Sequence, residues 1–261
     1  MSSGDSNAQK EAVEIFNANG AGEVLILCEH ASHDIPERYK GLGLAEEDRT
    51  SHAAWDPGAR AVSLALAKAL DAPMVASRIS RLVYDCNRPP EARSAMPVKS
   101  EVIEVPGNVG LTDEERAERV RTVYMPFCTA VHDVLSARKA AERDTVLVTM
   151  HSFTPVYFGA QRAVEIGILH DRDSRLADAM LAEAQRLSHR KIARNDPYGP
   201  EDGVTHSLQL HGIENGLANV MIEVRNDLLR NAEDEAQMAE ELLTLLRPAL
   251  AALKTERQPD A

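Results

Sequence analysis

Four short apolar segments constrain the fold of this chain more than any other feature. They are Val24–Cys28 (VLILC), 145–153 (TVLVTMHSF), 164–171 (VEIGILHD) and 219–229 (NVMIEVRNDLL). None shows the strict polar–apolar alternation of a strand with one face in water, and strands buried on both faces are typical of parallel sheets covered by helices. The segments therefore predict the central sheet of an α/β protein.

Stretches with helical spacing of apolar residues separate and follow these segments. Pro57 fits the first turn of one helix, and Thr112 is a good N-cap for another, with acidic residues in the first turn that follows it. The predicted helices span 56–73, 111–142, 174–189 and 233–254. Alternating strands and helices predict a three-layer α/β/α sandwich with a mostly parallel central sheet.

The chain shows no internal repeat and no boundary between domains. We expect a flexible N-terminus over residues 1–20 and a single domain over 21–255. The segment 99–110 contains the Pro, Gly and Asn residues of an irregular loop. Loops of this length in compact domains are often functional, and whether this one closes as a lid is left open.

Charge and composition limit the partners of the protein. The formal net charge of -12 repels phosphate backbones and anionic lipids, so nucleic acid and membrane surfaces are not expected to bind. A small anionic substrate remains compatible, because local arginines can reverse the field inside a cleft. No apolar stretch of membrane-spanning length and no secretory pattern occurs, so we expect a cytoplasmic protein. The sequence does not define an oligomeric state.

Titratable side chains cluster where the predicted strands end. His30 follows the first strand, His151 ends the second, His170 and Asp171 follow the third, and the last contains Glu223 and ends near Arg225. Ligands of open α/β sheets bind outside the carboxyl ends of the strands. We therefore expect these side chains to converge at one edge of the sheet.

Two histidines and a carboxylate with an open fourth position form a hydrolytic zinc site, and His30 and His151 are the candidate imidazoles. A nearby free carboxylate would act as general base, and Glu223, which lies in an apolar run, needs a partner or a function. Simpler explanations exist. Asp56 precedes Pro57 and fits a helix N-cap, and Arg225 could be the structural partner of Glu223.

Arginines recur between the first two predicted helices, at Arg78, Arg81, Arg88 and Arg93. Guanidinium groups bind carboxylates through two parallel hydrogen bonds. Surface ion pairs are the simpler explanation in an acidic chain. However, Arg81 and Arg88 flank a nearly uncharged stretch, and Asn87 and Pro89 favour a turn beside them, which favours an anion clamp.

Several stretches of the sequence resemble the N-formylglutamate amidohydrolase family. They are LILCEHASHDIP, HAAWDPGA, SRLVYDCNRP, VPGN before LTDEER, MHSFTPV with IGILHDRDSRLA, NDPYGPEDGVTHSLQLHG and IEVRNDL. They occur in order over residues 24–229. This chain has EHAS where many members have PHAG, which is similar to a divergent branch.

The resemblance implies a zinc-dependent hydrolase that cleaves N-formyl-L-glutamate to formate and L-glutamate, the last step of one histidine-degradation route. It also implies a fold similar to that of zinc carboxypeptidases. His30, His151 and Asp56 would then bind one zinc ion. Glu29 and His33 remain alternatives to Asp56 as the third ligand, and nickel, cobalt or iron could replace zinc.

The same resemblance implies roles for the remaining site residues. Glu223 is similar in position to the glutamate that acts as base in carboxypeptidase-like enzymes, and Arg81 would stabilise the oxyanion. The expected substrate-binding residues are Arg88, Asn87, Arg225 and Ser152. Two alternatives stay open: a metal-dependent amidase or carboxypeptidase for another N-acylated acidic amino acid or small peptide, and a non-catalytic protein that binds a dicarboxylate.

Overall fold

The structure is a computed structural model that describes residues 11–257. The strands, in chain order, are β1 (Val13–Phe16), β2 (Val24–Cys28), β3 (Met74–Ser77), β4 (Lys99–Ser100), β5 (Ile103–Glu104), β6 (Val146–Phe153), β7 (Val156–Tyr157), β8 (Ala160–Gln161), β9 (Ile166–Leu169), β10 (Ile192–Arg194) and β11 (Asn219–Arg225). The α-helices are α1 (Glu46–Arg49), α2 (Ala59–Ala69), α3 (Asp113–Arg119), α4 (Met125–Ala140), α5 (Arg175–Ala182) and α6 (Ala232–Arg257).

A seven-stranded sheet with the order β1-β3-β2-β6-β11-β9-β10 forms the centre of the fold. The four adjacent strands β3, β2, β6 and β11 are parallel to one another. β1 pairs antiparallel with β3, and β9, with β10 parallel to it, pairs antiparallel with β11. The predicted mostly parallel sheet is confirmed, with strands of opposite direction at both edges.

Helices cover both faces of this sheet. On one face, α2, α5 and α6 pack against even-numbered strand residues such as Ile26 and Val148. On the other face, α4 packs against odd-numbered residues such as Leu25 and Leu147, with Phe127 fully buried between them. The predicted three-layer α/β/α arrangement is therefore confirmed. None of the helices within residues 11–257 is both long and apolar enough to cross a membrane.

The N-terminal part of the described chain differs from expectation. We expected residues 1–20 to be flexible, but Val13–Phe16 form the edge strand β1, paired with β3 over its whole length. The segment is short and contains Glu14, whose carboxylate pairs with Arg60 of α2, so its sequence lacks the apolar run of a buried strand. Residues 1–10 lie outside the described part of the chain.

The predicted helix over 111–142 is present over residues 113–140, with a π-helical segment inside it. Thr112 caps α3 as expected, and its hydroxyl accepts a hydrogen bond from the Glu115 backbone while the Glu115 carboxylate accepts one in return. A π-helical turn, Val120–Tyr124, then connects α3 directly to α4. Pro126 follows this π-helical turn and occupies the first turn of α4.

The direction of β9 contradicts the expectation that four strands deliver side chains to one edge. Because β9 is antiparallel to β11, its carboxyl end, with His170 and Asp171, points to the opposite edge of the sheet. Parallel strands need a long crossover connection, usually a helix, and only the β7–β8 hairpin separates β6 from β9. The side chains that converge therefore come from the carboxyl ends of β2, β6 and β11.

The segment 99–110 is more regular than its sequence suggests. It forms the β4–β5 hairpin and a 3-10 turn, Pro106–Asn108. Glu101, at the tip, lies 3.0 Å from Nε2 of His52 and accepts a hydrogen bond of 2.9 Å from the backbone N–H of Phe158 in the β7–β8 hairpin. This carboxylate therefore ties the two hairpins together.

Gly58 fixes the start of α2 directly after Asp56 and Pro57. Its φ angle of 79° lies in the left-handed region, and a Cβ atom at this position would lie 2.5 Å from Cβ of Leu229. Both the angle and the contact require glycine. The turn places Asp56 at a defined position above the sheet.

Candidate metal centre

Three buried side chains converge at the carboxyl edge of the parallel strands. Oδ2 of Asp56 lies 3.1 Å from Nδ1 of His30 and 2.9 Å from Nδ1 of His151. The two Nδ1 atoms are 3.1 Å apart. These three residues form the group that could hold a metal ion among the described residues.

The fold fixes each member of this group through the backbone. His30 follows β2 by two residues, and its carbonyl accepts a 2.9 Å hydrogen bond from the Asp56 backbone N–H. His151 lies inside β6. The Ser152 backbone N–H, 3.3 Å from Oδ2 of Asp56, and the Ser152 hydroxyl, which donates to the Pro57 carbonyl, hold the Asp56 turn against β6. Ser152, expected to bind substrate, thus has its hydroxyl engaged in positioning Asp56.

The arrangement fits a single metal ion. Zinc ligands at about 2.0–2.1 Å from the ion in tetrahedral geometry are about 3.3–3.4 Å apart, close to the distances observed here. Two imidazole nitrogens facing one carboxylate oxygen also form the donor set that zinc prefers. The packing of these three ligand atoms is therefore consistent with a shared cation.

Two further carboxylates approach the other nitrogens of the imidazoles. Oδ1 of Asp85 lies 2.7 Å from Nε2 of His30. Oε2 of Glu29 lies 3.3 Å from Nε2 of His151, close enough for an ion pair although not aligned as a hydrogen bond. A carboxylate that accepts the Nε2 proton leaves the Nδ1 lone pair free for a metal and fixes the ring orientation.

The geometry separates the three candidates for the third ligand. Glu29 lies beside the far nitrogen of His151 rather than within the ligand group. His33 packs against Trp55, with ring centroids 4.9 Å apart. Asp56 is the carboxylate that the structure brings between His30 and His151.

The buried charges in this group shift one another's pKa values. Burial opposes ionisation of Asp56, but the His30 charge and hydrogen bonds from both histidines lower the pKa of this carboxyl. For His151, burial lowers the pKa, but the charges of Glu29 and Asp56 raise it well above its usual range. The surroundings thus favour positive charge beside Asp56, as a metal site requires.

Arg81 bridges the carboxylates rather than standing free in the cavity. Its Nη1 lies 3.2 Å from Oδ1 of Asp56, and its Nη2 lies 2.9 Å from Oδ2 of Asp85. The side chain still lines the cavity. Arg81 therefore connects a candidate ligand, Asp56, to the carboxylate that orients His30.

Glu223 lies directly beside the histidine of the neighbouring strand. In the parallel pairing of β11 with β6, Glu223 is in register with His151. Its Oε2 is buried and has no hydrogen-bond partner among the described residues. Burial, together with the negative charge of Asp56, raises the pKa of Glu223 to about 7 although His151 opposes the shift. A general base works best with a pKa near the working pH.

A cavity of about 180 Å³ opens beside these groups. His30, Asp56, His151 and Glu223 line it, and its remaining walls include Arg81, Asn87, Arg88, Tyr157 and Tyr198. Drug-sized ligands occupy cavities of about 300–1,000 Å³, so this one suits a smaller molecule. The walls bring the candidate ligands, the candidate base and arginine side chains into one space.

The two predicted clamp residues after β3 differ in their contacts. Within the described part of the chain, the Arg88 guanidinium makes one hydrogen bond, from Nη1 to the Asn87 carbonyl, so most of its donors are free. The amide of Asn87 donates to the Val204 carbonyl and accepts from the Ser207 backbone N–H. Asn87, although it lines the cavity, thus holds the segment 204–207 in place.

Arg225, which we expected to bind substrate, is engaged by other partners in the structure. Its Nε donates to Asp227, and its Nη1 donates to the Arg162 carbonyl at 3.1 Å. Its Nη2 lies 3.7 Å from Oε1 of Glu165. These contacts turn the side chain towards the segment that precedes β9, and Arg225 is not among the residues that line the cavity. Nor is it paired with Glu223.

Sequence reasoning missed Asp85 and Tyr198. Asp85 is buried in the stretch LVYDCN, and a carboxylate inside an apolar run is the same signal that singled out Glu223. Tyr198 lies in a loop where no periodic pattern marks it. Its hydroxyl accepts a hydrogen bond from Arg162, and its ring lines the cavity.

Comparison with known proteins places this chain in a defined family. The sequence model of the N-formylglutamate amidohydrolase family matches residues 22–230. The crystal structure of a gene product from Agrobacterium tumefaciens superimposes with a TM-score of 0.92 at 54% identity, covering 95% of this chain and 98% of the other. No curated protein matched in sequence.

A second solved structure shares the fold alone. N-formylglutamate amidohydrolase from Ralstonia eutropha JMP134 superimposes with a TM-score of 0.66 at 18% identity, covering 94% of this chain and 99% of the other. The fold and the family match point to an enzyme of the amidohydrolase class. The chain belongs to the N-formylglutamate amidohydrolase family.

We predict that Asp85→Asn weakens zinc binding without removing the ligands. The neutral amide orients Nε2 of His30 less strongly, so the zinc dissociation constant should rise about ten- to a hundredfold. Competition with a chromophoric chelator measures it. Asp133→Asn, which changes an exposed aspartate of α4, is the matched control. Equal zinc affinity in Asp85→Asn and the unaltered protein, with both folded, would exclude this role for Asp85.

The raised pKa of Glu223 also predicts a pH-dependent stability of the metal-free protein. Between pH 4.5, the ordinary pKa, and about 7, the folded protein retains a proton that the unfolded chain has lost. The free energy of unfolding therefore falls through this window, by up to roughly 3 kcal/mol. Glu223→Gln is neutral at every pH and should remove this loss.

Chemical denaturation of the metal-free protein at pH 4.5 and pH 8 measures this effect. The stability difference between Glu223→Gln and the unaltered protein should become more favourable to the variant at pH 8. Glu114→Gln, at a side chain that is 83% exposed, should show no such change. A difference for Glu223→Gln that is the same at both pH values would mean that burial does not shift this carboxyl.

Proposed function

We propose that the protein is a zinc-dependent amidohydrolase that cleaves N-formyl-L-glutamate to formate and L-glutamate. One observation carries the proposal: Glu223, buried and without a partner among the described residues, lies in register beside His151 of the His30–Asp56–His151 group. A metal site with an adjacent free carboxylate is the arrangement of a hydrolase that activates water. Membership of the N-formylglutamate amidohydrolase family supports N-formyl-L-glutamate as the substrate.

His30, Asp56 and His151 would hold the zinc ion. When bound, zinc lowers the pKa of a water ligand to about 7 and polarises the scissile carbonyl. Asp85 and Glu29 keep the two imidazoles in the orientation that presents Nδ1, and Arg81 anchors both Asp56 and Asp85. These three charged side chains hold the metal-binding residues in position before the substrate binds.

Glu223 is the general base of the proposed reaction. Its carboxylate takes a proton from the attacking water, and it then gives this proton to the nitrogen of the departing glutamate. In the metal-free protein, burial raises the pKa of this carboxyl to about 7, so the group can both accept and return a proton near neutral pH. Zinc would add positive charge nearby and favour the ionised form.

Arg88 orients the substrate through a carboxylate. Its guanidinium lines the cavity and, within the described chain, is engaged only by the Asn87 carbonyl, so a bidentate carboxylate contact is available. Arg81, 28% exposed and positively charged next to Asp56, adds to the field that stabilises a developing oxyanion. As part of this proposal, the reaction serves histidine degradation in the cytoplasm.

Formate release from N-formyl-L-glutamate, with zinc content measured on the same sample, tests the proposal. We expect about one zinc ion per chain and activity that is lost on chelation and restored by zinc. Glu223→Gln should retain the metal and lose on the order of a hundredfold or more in turnover. Glu114→Gln provides the matched control at an exposed carboxylate.

The outcomes separate the remaining alternatives. Zinc binding without formate release, but with cleavage of another N-acylated acidic amino acid, would keep the hydrolase and replace the substrate. Protein that binds L-glutamate but neither binds zinc nor gains activity from it would support a non-catalytic dicarboxylate-binding protein. Full turnover in Glu223→Gln would remove this residue from the mechanism.

A further inference from the structure

Arg162 is not itself among the residues that line the cavity, but its guanidinium packs against three aromatic rings that do. It follows strand β8, and its guanidinium carbon lies 4.3 Å from the ring centroid of Tyr157, 4.8 Å from that of Tyr198 and 5.5 Å from that of Phe153. All three rings line the cavity. Cation–π contacts of this kind hold a guanidinium in a fixed plane.

The charge of Arg162 has no carboxylate partner among residues 11–257. Its Nη2 donates to the Tyr198 hydroxyl at 2.9 Å, and its Nη1 is buried without an acceptor there. This is unexpected in a chain with 41 acidic and 29 basic residues. Arg81 and Arg225, by comparison, each contact two carboxylates. A buried donor without a partner is costly, so Arg162 suits an anionic ligand.

The backbone around Arg162 is held in place. Its N–H donates to the Pro155 carbonyl at 2.8 Å, which closes the β7–β8 hairpin. Its carbonyl accepts from Nη1 of Arg225 at 3.1 Å. Arg225 therefore holds the backbone of Arg162 in place, although Arg225 does not line the cavity itself. A guanidinium supported in this way is suited to discriminate between ligands.

We propose that Arg162 binds the second carboxylate of the substrate and thereby selects acidic N-acyl amino acids over neutral ones. The inference rests on the proposed function and adds to it the residue that recognises the acidic side chain of the substrate. Arg88 binds one carboxylate and Arg162 the other. Nη1 is buried, so a substrate carboxylate would reach it only when one of the three rings moves aside; of these rings, Tyr157 is 36% exposed.

Neutral and acidic substrates of equal size test this assignment. N-formyl-L-glutamine is nearly isosteric with N-formyl-L-glutamate but lacks the side-chain charge. In Arg162→Gln, kcat/KM for the glutamate substrate should fall about ten- to a hundredfold, mainly through KM, because a charge-assisted hydrogen bond is lost. The value for the glutamine substrate should stay nearly unchanged. Arg162→Lys should recover part of the preference.

Two controls accompany these variants. Arg121→Gln removes an exposed arginine paired with Glu114 and should leave the ratio between the two substrates unchanged. Thermal unfolding in the presence of glutarate, a dicarboxylate that cannot be cleaved, gives a binding readout independent of turnover. Glutarate should raise the melting temperature of the unaltered protein and of Arg121→Gln, but much less that of Arg162→Gln.

The outcomes distinguish this inference from the proposed function. Formate release with the same substrate ratio in Arg162→Gln would overturn the role of Arg162 and leave the proposed function intact. Absence of formate release, with glutarate stabilisation that depends on Arg162, would overturn the proposed function and support the carboxylate site. Absence of both formate release and glutarate stabilisation would overturn the two together.

Discussion

The buried Asp56 carboxylate is the interaction on which the rest of this site depends. One of its oxygens lies within 3.1 Å of both His30 and His151, and the other faces Arg81. The Asp56 backbone N–H donates a hydrogen bond to the His30 carbonyl, and the Ser152 backbone N–H approaches the carboxylate oxygen that faces the two histidines. One side chain thus joins the ends of β2 and β6 to the start of α2. Because Gly58 forces the chain into a tight turn directly afterwards, Asp56 has little freedom to leave this position.

The same carboxylate creates an electrostatic problem that a cation would solve. Asp56, Asp85 and Glu29 are all buried, and Arg81 supplies one positive charge close to two of them. Buried charges require partners. In the metal-free protein, protonated His151 is that partner, because the neighbouring carboxylates raise its pKa. A divalent ion between Asp56 and the imidazoles would replace that proton. The residues that favour a protonated histidine are therefore the ones that favour a metal.

Much of this arrangement could be predicted from the sequence. Apolar runs located the central strands, and the polar residues at their ends indicated His30, His151 and Glu223, since parallel strands share a carboxyl edge. Strand direction was harder to infer: β9 is antiparallel to β11, so His170 does not join the site. The partners of individual side chains could not be inferred from the sequence either. Nothing in the sequence shows that Arg225 faces the segment before β9, because that contact depends on tertiary packing.

The most direct test of the account is a crystal structure of the zinc-loaded protein with anomalous scattering recorded on both sides of the zinc absorption edge. The account predicts a single strong peak within about 2.0–2.2 Å of Nδ1 of His30, Nδ1 of His151 and a carboxylate oxygen of Asp56, with the Glu223 carboxylate outside that distance. A peak coordinated instead by Glu29 or His33, or coordination through the Nε2 atoms, would contradict it.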